Sequence, residues 1–244
     1  MFADRLPQPN EKTRGILNRI AAFAAGLMIL FVLLLTSVQA LCLWVPNFWR
    51  NEYQKYNTPA NVNGEMSLDD AVHVTEDMLD YCIGKLDSLD DSEASIDDVK
   101  VPFFNEREKK HLADCRDLFM KGLRARSVCI LLIMGLGIYL YVHLGKRAAL
   151  RALSAGYLKA LSAVFILAVI IAIASFIDFT TVFTIFHKIF FNNDLWILDP
   201  AKDNLINIMQ EEVFRDAAMY IGGIWIAASA ILCVVASKAL MKNL

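Results

Sequence analysis

Four apolar runs long enough to cross a lipid bilayer govern what this chain can become: Ile20–Val45, Val128–Leu144, Ala160–Ile177 and Ala217–Leu240. A helix rises about 1.5 Å per residue, so roughly 20 apolar residues cover the hydrocarbon core. Inside lipid the backbone has no water to bond, so such runs must be helices. The second run is the shortest. Leu123 and Ala125 extend it, while Arg124 and Arg126 reach the interface on their long stems. With 57% of the sequence hydrophobic, a soluble domain of this size is excluded. Arg14 and Arg19 precede the first run, and Val38-Gln39-Ala40 resembles a signal cleavage site. The apolar stretch is too long for an ordinary signal core, and bulky Leu41 makes a poor lipidation box before Cys42. The segment is read as an anchor.

The expected fold class is an all-α membrane protein with four transmembrane helices and a mainly helical extracytoplasmic cap built from two loops. The divisions are 17–45 (first span), 46–122 (first cap loop), 123–144 (second span), 145–159 (basic cytoplasmic loop), 160–182 (third span), 183–214 (second cap loop) and 215–240 (fourth span). Orientation follows from the short loops. Lys146, Arg147, Arg151 and Lys159 lie between the second and third spans with no acid beside them. Arg5, Lys12, Arg14 and Arg19 precede the first span, and Lys238 and Lys242 end the chain. The positive-inside rule puts these segments and both termini in the cytoplasm. Lys121, Arg124 and Arg126 add to a larger basic count opposite, but a long loop crosses a membrane despite its charge.

Within the first cap loop, Leu68, Val72, Thr75, Leu79, Cys82, Ile83 and Leu86 recur at helical spacing behind a Ser67/Asp70 capping box. Its acidic residues read as a solvated face. Asp87–Asp98 reads as a polar linker and Val99–Phe104 as an extended stretch. Asn105 then caps a helix, with Glu108 returning the bond, and no breaker precedes Gly122. In the second loop Asp199-Pro200 predicts a cap and a short helix through about Glu212. Of five cysteines only Cys82 and Cys115 fall in polar segments, so the cap can hold at most one disulfide.

Two of the four histidines stand in unusual surroundings. His143 reads as interfacial and His73 as a surface partner of Asp69 or Asp77. His111 has Arg107 and Cys115 one turn to either side and Glu108 and Asp114 three residues away. His187 lies among Phe186, Phe190, Phe191 and Trp196. An apolar pocket keeps imidazole neutral and ready to accept a proton. The plainer alternatives are a structural hydrogen bond for each histidine and an interfacial belt for the aromatics. His111, Asp114, Cys115 and His187 could ligate a metal, but no local His or Cys pair anchors one. Cys115, one turn from a base, is a candidate nucleophile. Asp178 is an intramembrane carboxylate, on the face opposite His187 if the helix is unbroken.

The sequence resembles the bacterial lipoprotein intramolecular transacylase family over essentially its whole length. The likeness is sharpest at Phe104-Asn-Glu-Arg107-Glu108-Lys-Lys-His111-Leu-Ala-Asp114 and at Phe186-His187-Lys-Ile-Phe190-Phe191-Asn-Asn-Asp194-Leu-Trp196, continuing through Asp203 to Glu211-Glu212-Val-Phe214. The resemblance implies an acyltransferase of the bacterial cell membrane that moves the sn-2 acyl chain of a diacylglyceryl-cysteine lipoprotein to the cysteine α-amino group. It implies His111 and His187 as the catalytic pair, with no metal and no cofactor. Arg107, Glu108, Asp114, Asp194 and Asp203 are expected to support the pair, Glu108 both by capping and by acting on the proton affinity of His111. Phe104, Phe186, Phe190, Phe191 and Trp196 are expected to line the substrate pocket. The implied partners are diacylglyceryl-modified lipoproteins and membrane lipid, with no nucleic acid. Two departures stand out: Met209-Gln210 precedes Glu211 where the family usually has a proline, and Cys115 is not a family position for cysteine. The alternatives are a non-catalytic assembly factor or sensor with an acidic cap, and a metal-dependent membrane hydrolase.

Overall fold

The computed structural model describes residues 10–241; Arg5 and Lys242, counted among the cytoplasmic basic residues, lie outside them. Four of its helices are long and apolar enough to cross a membrane: α1 (Glu11–Trp44), α4 (Glu106–Leu144), α5 (Lys146–Ile177) and α8 (Glu211–Met241). The shorter helices are α2 (Phe48–Lys55), α3 (Leu68–Cys82), α6 (Phe179–Phe190) and α7 (Asn204–Ile208), with a 3-10 turn at Thr58–Asn61. The chain forms two compact units. One takes the start of α1 to Leu34, Arg126–Val169 and the chain from Trp225; the other takes Leu35–Ala125 and Ile170–Ile224.

In the first unit α1 and α5 meet through small residues. A side chain on Gly26 would lie 2.8 Å from the Tyr157 backbone, and one on Gly156 would run into the Ala22 carbonyl. Ala22-x-x-x-Gly26 therefore faces Gly156-x-x-x-Ala160, the spacing that lets helix backbones approach closely in lipid. The Trp225 indole donates to the Leu30 carbonyl at 3.0 Å and the Tyr157 hydroxyl to that of Ser229 at 2.9 Å. Leu131, Ile138, Ile166 and Ile231 point outward, an arrangement only a lipid solvent favours.

The second unit has an ordinary buried core of Tyr53, Val74, Leu79, Phe103, Phe104, Leu112, Leu205, Ile208 and Val213. The amphipathic pattern of 68–82 is helix α3, and the Ser67 hydroxyl oxygen accepts the Asp70 N–H at 3.0 Å. Tyr53 donates at 2.6 Å to Thr75, whose own hydroxyl proton goes to Ala71 O, tying α2 to α3. Asp216 draws α2 to the first turns of α8 by pairing with Lys55 and accepting the Tyr56 hydroxyl at 2.7 Å.

Four features differ from the sequence reading. The stretch 87–98 is not all linker: Glu93–Ile96 (β1) pairs antiparallel with Val99–Pro102 (β2). Asp97 and Asp98, at φ 53° and 61°, form the two-residue turn between them. Asp tolerates this left-handed geometry, which matches the strands' twist. The basic stretch after Gly145 is no loop but the start of α5. Gly145, at φ 75°, makes the whole connection, and Lys, Arg, Ala and Leu are good helix formers. Asp178 interrupts the helix within 160–182 and caps α6, accepting the Thr181 N–H at 3.0 Å and its hydroxyl at 2.6 Å. Asp199-Pro200 opens a turn, with Ala201 N–H on the Asp199 carboxylate at 3.0 Å, and α7 starts only at Asn204.

Candidate functional site

His111 stands in the second turn of α4, where the Asn105/Glu108 capping box sets the start of the helix. Asn105 Oδ1 accepts the Glu108 N–H at 3.0 Å, and Glu108 Oε2 accepts the Asn105 N–H at 2.6 Å. The turns around His111 are too highly charged to lie in hydrocarbon. His187 is the buried residue of α6, and its Nδ1 lies 2.7 Å from the Phe183 carbonyl, one turn back. A carbonyl can only accept, so that proton is on Nδ1 and Nε2 carries the lone pair.

The fold brings the two imidazoles to 6.2 Å between ring centroids, tilted by 35°. Phe191 packs against both, at 5.2 Å from His111 and 5.7 Å from His187. Trp196 stacks on His187 at 4.9 Å, while Phe183 lies 4.2 Å from it. Each imidazole is only 7% exposed. Burial, then the neighbouring His187, pulls the pKa of His111 down to about 4. Burial also lowers that of His187, with the Phe183 carbonyl opposing. Both rings are thus neutral at neutral pH. His111 Nε2 lies 3.6 Å from Cys115 Sγ, whereas its buried Nδ1 has no hydrogen-bond partner.

The residues expected to support the pair form hydrogen bonds between the first and second cap segments. Glu108, fully buried, uses its second oxygen to accept the Leu205 N–H at 2.5 Å. Asn105 Nδ2 donates to Asp203 at 2.8 Å, and Asp203 also accepts the Asp199 N–H at 2.7 Å. Arg107 donates to the carbonyls of Asp194 and, at 3.1 Å, Ile197. Asp114 accepts from Asn193 at 2.8 Å. Asp194 thus contributes its backbone, not its carboxylate. Glu108 spends both oxygens on backbone N–H groups, capping α4 and joining its start to Leu205. Asp114 and Arg107 act on the charge of His111, the first favouring protonation and the second opposing it.

Of the five aromatics expected around a pocket, Phe191 and Trp196 contact His187 and Phe186 lies 5.4 Å from it, edge-on. Phe190 lies tilted against Phe186 at 4.8 Å, and both are about half exposed. Phe104 is a core residue instead, 2% exposed and edge-on to Phe103. Phe183 and Asn193 escaped the sequence reading. The signal for Phe183 was its place four residues before His187. All five cysteines are free thiols. Burial, then Asp114, pushes the Cys115 thiol up to about 12, so it holds almost no thiolate. Among the described residues no three His, Cys, Asp or Glu side chains converge as a metal-ligand set. His73 pairs with Asp77 at 3.8 Å, and His143 bonds the Tyr139 carbonyl at 2.9 Å.

Four bilayer-length helices and a pair of buried imidazoles define a multi-pass membrane protein with a histidine pair in an aromatic shell. The family model described as lipoprotein intramolecular transacylase Lit matches residues 23–214, and the chain belongs to that family. It is therefore an acyltransferase. Solved structures of the membrane integral lipoprotein intramolecular transacylase Lit from Bacillus cereus share the fold. One is 24% identical over 94% of this chain and 98% of its own, with a TM-score of 0.72. A variant with one histidine replaced by alanine is 20% identical over 96% and 99%, at 0.71. A variant with arginine there is 20% identical over 95% and 96%, at 0.70. No curated protein sequence matches the chain significantly.

Proposed function

We propose that the protein moves the sn-2 acyl chain of a diacylglyceryl-cysteine lipoprotein to the α-amino group of that cysteine, with His187 as base and His111 as oxyanion partner. The observation that carries this reading is the pairing of two neutral imidazoles in one aromatic shell, each with a ring nitrogen to spare.

The α-ammonium has a pKa near 8 and must first release a proton to water. The free amine attacks the ester carbonyl carbon and its N–H proton passes to His187 Nε2. The tetrahedral oxyanion accepts a hydrogen bond from His111 Nδ1–H. A neutral imidazole can serve as such a donor where burial holds it uncharged. On collapse the glyceryl C–O bond breaks, and the departing oxygen takes the proton from His187 Nε2. An ester and an amine become an amide and an alcohol, and both histidines return to their starting state. Nucleophile and ester share one molecule, so the protein's main work is to fold the substrate into a reactive pose. Exposed Phe186 and Phe190 suit a substrate whose chains stay in lipid. The basic start of α5 supports a cytoplasmic position for both termini and an outer-face position for the histidines.

The test is expression in a host that makes diacylated lipoproteins, followed by fragmentation of a lipoprotein's N-terminal peptide in a mass spectrometer. Transfer within one molecule leaves the peptide mass unchanged and moves one acyl chain onto the nitrogen-bearing fragment. A hydrolase would lose the acyl mass. His111→Ala and His187→Ala should each abolish the shift while the protein stays folded in the membrane. Near-normal conversion by either variant would end the two-histidine mechanism.

A further inference from the structure

A second recess lies at the break between α5 and α6. It encloses about 470 Å³ and is walled by Phe176, Ile177, Phe179 and Met219, with Asp178, Thr180, Glu211 and Arg215 among its polar groups. Its apolar rim holds the most exposed large hydrophobic side chains among the described residues, Phe176 at 93% and Ile177 at 77%. The rim continues the outward apolar face of α5 through Ile170, Ile171 and Ile173, the surface that meets lipid. The recess thus opens where the apolar run ends and its first charged residue, Asp178, begins.

Its charge is unbalanced. Asp178 accepts from Thr181 on both oxygens, and Glu211 takes the Thr180 hydroxyl on both of its own, at 2.9 and 2.8 Å, so neither carboxylate is paired with a cation through these bonds. Two carboxylates therefore face one guanidinium, Arg215, which also interacts with Tyr56, Glu212 and Asp216. An occupant that matches apolar walls and a net negative charge carries long hydrocarbon chains and one cation. From here α6 leads to the histidines: seven residues separate Thr180 from His187, about 10 Å along a helix. Phe183, midway, packs on Phe214 of α8 at 5.1 Å and on His187.

We propose that this recess is the entry subsite of the transacylase, taking the diacylglyceryl-cysteine N-terminus from the bilayer with its α-ammonium against Asp178 and Glu211 and its chains on Phe176, Ile177 and Met219. The inference rests on the reading given above and adds discrimination to it. The substrate carries an ammonium at neutral pH, whereas the product nitrogen is an uncharged amide. The same carboxylates that hold the substrate have nothing to hold in the product, so the recess favours loading over rebinding.

The experiment uses the full chain in phosphatidylcholine nanodiscs, a synthetic diacylglyceryl-cysteine lipopeptide and its N-acetyl analogue. Asp178→Asn keeps a good helix cap and Glu211→Gln keeps an acceptor for Thr180, so the double variant removes charge and little else. It should bind the lipopeptide about tenfold more weakly and raise KM to match, with kcat within about twofold. The N-acetyl analogue should bind the wild type about tenfold more weakly and ignore the double substitution. Unchanged binding in the double variant, or an equal loss for both ligands, would overturn the proposal; the second result would point to a phospholipid or a purely apolar contact. Charge-dependent binding with no acyl transfer by the wild type would keep the subsite and sink the transacylase reading. Acyl transfer with charge-blind binding would do the reverse.

Discussion

Replacing Glu108 by alanine should unfasten the segment that carries Leu205 from the start of α4. The carboxylate is fully buried and accepts two backbone N–H groups, Asn105 at 2.6 Å and Leu205 at 2.5 Å. A charge-assisted bond contributes about 1.5–3 kcal/mol, and alanine leaves both donors unpaired. Relief of the buried charge offsets part of this, leaving a loss of about 2–4 kcal/mol. For a chain of this size that lowers the melting temperature by roughly 5–12 °C. Glu108→Gln keeps one carbonyl acceptor and turns an amide NH2 toward the other donor, so about half the loss should remain. The melting temperature is to be measured in detergent beside the pH–rate profile of acyl transfer. The proton affinity of His111 responds to burial, His187, Asp114 and Arg107, while both Glu108 oxygens are occupied elsewhere. E108Q should therefore slow the reaction modestly and leave the profile in place. A displaced profile, or complete inactivity in a variant that melts like the wild type, would refute this reasoning and make Glu108 act on or with the histidine.

Acid should weaken the fold through His111. Its folded pKa is lowered from 6.5 to about 4, so the unfolded chain protonates first as pH falls. The stabilisation is complete above pH 6.5 and drains away toward pH 4, by roughly 3 kcal/mol at most. Denaturant unfolding at both ends of that window should show a smaller pH effect in His111→Phe than in the wild type. Cys115→Ser should retain acyl transfer within about threefold, because the thiol is protonated and lies on the Nε2 side of His111. Loss of activity in a folded variant would revive a thiol nucleophile. Gly156→Leu should force α1 from α5 and lower the melting temperature by several degrees, since the added side chain meets the Ala22 backbone; an unchanged melting temperature would contradict that close crossing.

Local hydrogen bonding and hydrocarbon length made much of this protein legible before folding. The four bilayer-length runs follow from a one-dimensional requirement, apolar residues against bilayer thickness, which a string of letters can satisfy or fail. The Asn105/Glu108 box and the Ser67 cap involve residues three apart, so they too can be read directly. The hairpin at 93–102 was hidden because each strand has only four residues and its turn uses two aspartates where glycine or asparagine is the usual sign. The basic start of α5 was hidden because charge suggests a loop, although helix propensity is indifferent to charge.

The sequence by itself determined where the chain can cross lipid, where α3 and α4 start, and that His111 and His187 sit in unusual company. Only the tertiary structure decided that the two come together, that Phe191 packs on both while Phe104 goes to the core, and that Glu108 spends its oxygens on Asn105 and Leu205. Periodicity reports which face of a helix is apolar but not which partner that face will find. The partner is settled by packing between segments far apart in the chain, where volume, burial and unpaired donors must all be satisfied at once.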